Sequence, residues 1–358
     1  MYYMNHDAFD YFVADFTPKE SIINNRRYPL GYFAAEALDF GIMKARSIRT
    51  PISDFREDLE AFICSRDPSS TAVAHRSIRS LWKELSKFPV YDKVLGGDYR
   101  VASLIPHMRD NPEKVTEMLT PGTELYAAYK KWISKLCRLD DEFEGFVRNT
   151  EWMLDEYFSS LRFRRIENYA NALGRYQRDI DGAREMEEET GERDFTVDLS
   201  SVQFDFPVNI SFVPQIDPET QTMVIAEEMT FDTLVSFLYM DLYKGMAAGN
   251  LPRRCQHCRR WFVSIGAYNT LYCNRPIPEL QGKTCRDIGA YEKEKENRKG
   301  LVKETYYLIY NRLKARKRRG KLDRDEWNLK VKRAQELGVM YEERKISKEE
   351  YLEEMNAL

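Results

Sequence analysis

Cys255, Cys258, Cys273 and Cys285 are four of the six cysteines in a chain of 358 residues, spaced C-x2-C-x14-C-x11-C. Thiolates at such a spacing suit a tetrahedral zinc ion. A C-x2-C pair on a tight turn offers two sulfurs to one side of the ion, and a second pair from elsewhere closes the shell. The segment Thr284-Cys-Arg-Asp287 reads as a capping box, which puts Cys285 on the first turn of a helix, where free N–H groups and the positive dipole end favour a thiolate. Trp261 and Phe262 follow the first pair as an apolar lid, and Gly266 permits a returning bend. Knuckle, hairpin and helix-borne ligand together describe a treble-clef type of site.

Four thiolates leave no open coordination position, so the predicted role of zinc is structural. Two other readings of the cysteines stay open, unrelated buried thiols or two disulfides, and an intracellular setting disfavours the second. His257 lies between the first two cysteines as a competing ligand. Arg253, Arg254, Arg259, Arg260, Arg275 and Arg286 surround the four in sequence. They either neutralise the thiolates or also touch phosphate. Cys64 and Cys137 read as plain buried thiols.

The motifs RRCQHCRRWF, LYCNR and KTCRDIGA, followed by NRLKARKRRGKLDRDEW, resemble an uncharacterised family of bacterial proteins with a C-terminal segment of this form. More distantly they resemble CGNR-type zinc fingers, and the likeness spans residues 231–345. It carries over Cys255, Cys258, Cys273 and Cys285 as ligands. CGNR modules hold the last two cysteines close and follow the final one with Gly-Asn-Arg. Here eleven residues intervene and Arg-Asp-Ile follows, which weakens the DNA-binding role that the CGNR likeness implies. The closer family implies no activity.

A second signal lies downstream. Arg312, Lys314, Arg316, Lys317, Arg318, Arg319, Lys321 and Arg324 form a dense basic run, and each cation placed on a phosphate would release a counterion. Tyr306, Tyr307 and Tyr310 stand just upstream, where they either stack on bases or pack in a core. The net charge of −3 conceals an asymmetry: residues 251–345 hold 25 Lys and Arg against 12 Asp and Glu, whereas residues 1–250 hold 29 against 42. The basic tail either reaches DNA or RNA, or docks on an acidic surface in the same chain or in a homo-oligomer.

The elements that must position these residues are mostly helical. With 43% hydrophobic and 32% charged residues, the chain is globular. It shows no signal peptide and no apolar run of membrane-spanning length, so we expect a cytoplasmic protein without membrane contact. The expected class is α+β, predominantly α, with a small antiparallel sheet and a zinc module followed by helices. Residues 1–194 form an acidic helical body, 195–250 a small sheet plus an apolar helix, 251–300 the zinc module, and 301–358 the basic tail.

Within the body the aromatics Tyr2, Tyr3, Phe9, Tyr11, Phe12 and Phe16 suggest core. Helices are expected at Leu30–Met43, Ser53–Cys64 (with Ser53 as N-cap), Pro68–Leu85, Asn111–Leu119, Thr123–Cys137 and from Asp140 to about Gln177, with a Gly96-Gly97 turn between. The four acidic residues at Asp140–Glu144 suit a helix start. Strands fall within 195–229, Thr230 caps the apolar helix that follows, and helices begin at Leu301, after Asp323 and after Ser347.

The function these features favour is zinc-stabilised nucleic-acid binding, with protein assembly as the alternative. No P-loop, G-x-S-x-G or H-E-x-x-H motif occurs. His75 reads as an exposed or satisfied helix residue and His107 has no partner nearby in sequence; with no histidine but His257 beside the cysteines, a histidine-metal nuclease is poorly supported. Scattered body carboxylates leave a hydrolase as the third reading.

Overall fold

The computed structural model describes residues 12–65, 68–94, 117, 120–161, 164–191, 199, 202, 204–217, 219–265, 270–280 and 282–358. The expectations for Tyr2, Tyr3, Phe9, Tyr11, the Gly96-Gly97 turn, His107, the helix at 111–119 apart from residue 117, the first strand residues at 195–198 and Gly266 fall outside the described residues. So do those for the side chains of Cys64 and His75.

The chain divides into two compact units, Met1–Arg254 with Arg260–Thr270, and Cys255–Arg259 with Leu271–Leu358. The first unit contains helices α1 (Tyr32–Phe40), α2 (Arg49–Ser65), α3 (Pro68–Leu85), α4 (Glu124–Met153), α5 (Ile166–Thr190) and α6 (Leu234–Ala247). Its sheet is built from β1 (Phe12–Phe16), β2 (Glu20–Ile23), β3 (Arg26–Pro29), β4 (Asn209–Ile216) and β5 (Met223–Phe231), in the antiparallel order β3-β2-β1-β5-β4. Asn24 and Asn25 both take positive φ in the β2–β3 turn, the pairing that matches strand twist. The later β-rich segment thus extends a sheet that the N-terminal strands begin.

Helix α6 buries most of its surface, including Leu234, Val235, Phe237, Leu238, Tyr239, Leu242 and Met246, as its near-continuous apolar sequence requires. Phe237 meets Phe33 and Phe231 at ring-centroid distances of 5.3 Å each. The buried Asp241 of α6 accepts N–H bonds from Gly31 and Ala34, both at 3.0 Å, and so caps α1 from another helix. A Cβ on Gly245 would lie 2.8 Å from the Cα of Gly31, so α6 approaches this turn at backbone distance. Hairpin strands β6 (Leu251–Arg254) and β7 (Trp261–Ser264) complete the unit.

Several boundaries differ from expectation. Helix α2 starts at Arg49, and Ser53 lies inside it, bonded to Glu57. Helix α4 runs unbroken through Asp140 and continues into a π-helical turn at Leu154–Phe158. Asp140 is buried mid-helix against Arg49, and Glu144 is held by Arg46 at 2.7 Å, so these acids anchor helices and do not open one. The cap of α6 is Thr233, whose hydroxyl accepts the Ser236 N–H at 3.1 Å; Thr230 lies in β5. Cys137 is exposed, not buried.

The second unit holds α7 (Cys285–Arg318), α8 (Arg324–Glu342) and α9 (Lys348–Ala357). The expected start at Leu301 does not exist as a boundary, because the helix opened by Cys285 continues to Arg318. At 34 residues it is about 51 Å long. Ile309, Leu313, Leu322, Ala334, Leu337, Tyr341, Tyr351 and Met355 form the core of this unit. The capping boxes after Asp323 and Ser347 are both present. No described helix is long and apolar enough to cross a membrane.

Candidate metal centre

Cys255 and Cys258 sit in the turn joining β6 to β7. The Arg259 N–H donates to the Cys255 carbonyl at 2.9 Å, and Arg259 takes φ 62°, a left-handed conformation that favours glycine. The hairpin carrying this turn is fixed at both ends by carboxylates of the first unit. Arg254 donates to Glu151 at 2.8 Å, and Arg260 donates to Asp39 at 2.5 Å, where Asp39 also accepts the Trp261 N–H at 3.0 Å. Trp261 gives its indole N–H to Glu151 and joins the core of the first unit instead of serving as a lid. Two of the six arginines near the cysteines are therefore occupied by carboxylates, and Arg253 donates to the Thr270 carbonyl at 2.8 Å.

The other pair is brought together by a ladder within residues 275–284. The Cys285 N–H donates to the Arg275 carbonyl at 3.1 Å, Pro276 bridges to Thr284, and the Ile277 N–H donates to Lys283 at 2.9 Å. An eleven-residue separation thereby closes into a short loop. Thr284 and Asp287 form the expected capping box, with Asp287 accepting the Thr284 N–H at 2.9 Å. Tyr272 lies against Gly289, one turn beyond Cys285; a Cβ there would fall 2.3 Å from the ring. This close packing places Cys273 beside the start of α7.

All four sulfurs lie within 4.8 Å of one another, and the Sγ atoms of Cys258 and Cys273 are 3.7 Å apart. A tetrahedron with metal–sulfur bonds of about 2.3 Å has sulfur–sulfur edges of about 3.8 Å. The donor set therefore fits a thiophilic metal ion, and the four cysteines are free thiols. His257 is exposed and stands outside the group. Burial raises the Cys255 thiol, but N–H bonds from Cys273, Cys258 and His257 outweigh it and bring the thiol down to about 7. Burial raises Cys273, and burial together with the neighbouring thiols raises Cys285. Four crowded sulfurs resist ionising together, and a bound dication offsets that cost.

The basic run separates into two groups. Arg312 donates to the Asn356 carbonyl at 3.0 Å and Arg316 to the Leu358 carbonyl at 3.1 Å, while Lys317 lies 4.2 Å over the Trp327 ring. Lys330, outside the expected group, also donates to Leu358 at 3.0 Å. These cations satisfy the carbonyl end of α9 or pack on an aromatic face. Lys314, Arg318, Arg319, Lys321 and Arg324 are exposed. Among the described residues of the second unit, none of the five forms an ion pair with a carboxylate. No sequence signal marks Lys330, Asp39 or Glu151, since each acts through a residue far away in the chain.

Residues 203–357 match the model of a family of unknown function, DUF6076. No curated protein and no solved structure matches the chain.

Proposed function

We propose that this is a zinc-stabilised nucleic-acid-binding protein, with Zn²⁺ held by Cys255, Cys258, Cys273 and Cys285 in a treble-clef-like module. Bound there, zinc would contribute folding free energy and offer no open position for chemistry. The observation that carries the reading is the continuity of α7. The helix begins on a ligand, Cys285, and ends in exposed Lys314 and Arg318, with Arg319, Lys321 and Arg324 at the turn beyond. The metal centre thus fixes the first turn of the same rod that presents the cations.

The test is binding of the zinc-loaded protein to generic duplex DNA and RNA across a salt series. A variant with Lys314, Arg318, Arg319 and Lys321 changed to glutamate runs alongside. Binding that falls steeply with salt and disappears in the variant supports the reading. Absence of binding at low salt, with the variant dissociated or misfolded, transfers the basic tail to assembly.

Self-association is the second reading, favoured by β4 and β5. Ile210, Phe212, Ile216, Met223 and Ile225 are all more than half exposed on one face of these two strands. β4 is an edge strand without a single charged residue, so this exposed apolar face suits packing against the same face of a second copy. Sedimentation of the wild type and of a Phe212→Ser, Ile225→Ser variant tests this. An oligomer lost in the variant supports it, and a wild-type monomer removes it.

A further inference from the structure

We infer that the contact with nucleic acid is made by one face of α7 lying in the major groove of duplex DNA. This rests on the nucleic-acid reading above and adds the partner and the residues that meet it. Along the solvent face of the helix, Lys303 stands nearer its start, Lys314 and Arg318 nearer its end, and Tyr307, Leu308 and Asn311 between them along the axis. All six are exposed; Tyr307 and Leu308, at 56% and 65%, are large apolar side chains that the packing against α8 and α9 leaves in solvent. At helical spacing the six fall on one side of the rod, opposite the buried Ile309 and Leu313.

Dimensions choose the partner. Lys303 and Lys314 are eleven positions apart, which is about 16 Å of helix axis. The major groove of B-DNA is about 12 Å wide between its backbones, so phosphate centres on its two sides stand somewhat further apart. A helix crossing the groove obliquely meets one backbone at Lys303 and the other at Lys314 and Arg318. Tyr307, Leu308 and Asn311 then face base edges, where an asparagine can pair with adenine and an apolar side chain can cover a thymine methyl. Glu304, exposed beside Lys303, is placed to accept from a cytosine amino group. The deep, narrow major groove of duplex RNA does not admit a helix, and single strands favour grooves with stacking platforms over one convex rod.

The experiment measures fluorescence anisotropy of labelled 20-base-pair DNA, the same duplex in RNA, and the single strand. It uses the zinc-loaded full chain, and Lys303→Glu, Lys314→Glu, Arg318→Glu as a triple variant. The expected result is tighter binding to DNA duplex than to the other two. The triple variant should lose at least tenfold in affinity and reduce the salt slope by roughly two to three. A second variant, Tyr307→Ala, Asn311→Ala, should keep the salt slope but narrow the difference between selected and random sequences. Thermal melts confirm that both variants fold. If the wild type binds no nucleic acid even at low salt, the underlying reading fails as well. If it binds DNA but the triple variant binds equally, or if RNA duplex binds as well as DNA, the groove assignment alone is overturned.

Discussion

Arg316 donates from Nη1 to the carbonyl oxygen of Leu358 at 3.1 Å, so a cation from the middle of the basic run closes the end of α9. Arg312 and Lys330 make the same kind of bond to Asn356 and Leu358. The last carbonyls of a helix have no intrahelical donor, and cations there also complement the dipole.

Changing Arg312 and Arg316 together to alanine should therefore cost the second unit about 1–3 kcal/mol of stability, read by thermal or urea melts. Changing Lys314 and Arg318 to alanine removes the same number of charges from exposed positions. That variant should stay within about 0.5 kcal/mol of wild type. Equal losses from the two pairs would contradict the division of the basic run.

The metal centre predicts one tightly held dication per chain. Native mass spectrometry should find it, and Co²⁺ substitution should give the visible spectrum of a tetrahedral thiolate site. Cys255→Ser, Cys273→Ser should abolish both and expose the backbone amides of residues 270–290 to hydrogen exchange. The loop at 275–284 has little core of its own to hold it. A chain that purifies without metal and keeps these amides protected would refute the site.

The clustering of the four cysteines, the capping box at Thr284 and the boxes at Asp323 and Ser347 were legible because residue type and characteristic spacing decide the outcome. The class of fold was legible for the same reason, from periodicity. What escaped depends on distant partners. Nothing near Asp39 or Glu151 in sequence marks them as clamps for Arg260 and Arg254. Nothing in the acidic run at Asp140–Glu144 shows that it lies mid-helix against Arg46 and Arg49. The basic run looked uniform because sequence carries no sign of which helix face meets α9.

Two glycines in helices should respond oppositely to alanine. Gly289 faces the Tyr272 ring, so Gly289→Ala must displace the residue next to Cys273. It should cost about 1–3 kcal/mol and weaken metal retention against a competing chelator. Gly174, inside α5, has open space where a Cβ would stand, with nothing within 4 Å. Gly174→Ala should stabilise by up to about 1 kcal/mol through helix propensity alone. Metal retention unchanged in Gly289→Ala would show that Tyr272 does not position Cys273.

Asp241 gives a pH dependence with a definite sign. Burial pushes its carboxyl up to about 7, against the lowering effect of N–H bonds from Ala34, Gly31 and Phe33. A carboxyl whose folded pKa lies above its unfolded value favours folding in its protonated form. That contribution is complete below about pH 4 and is lost as pH rises towards 7. The stability of wild type minus that of Asp241→Asn should therefore fall across this window, with a limiting slope of about 1.4 kcal/mol per pH unit, and level off above it. Urea midpoints of both proteins at matched pH isolate the effect, since every other titrating group is common to the pair. If the difference is instead flat from about pH 4 to 7 and rises with pH only below that window, the N–H bonds at the start of α1 hold Asp241 ionised, and the cap outweighs the burial.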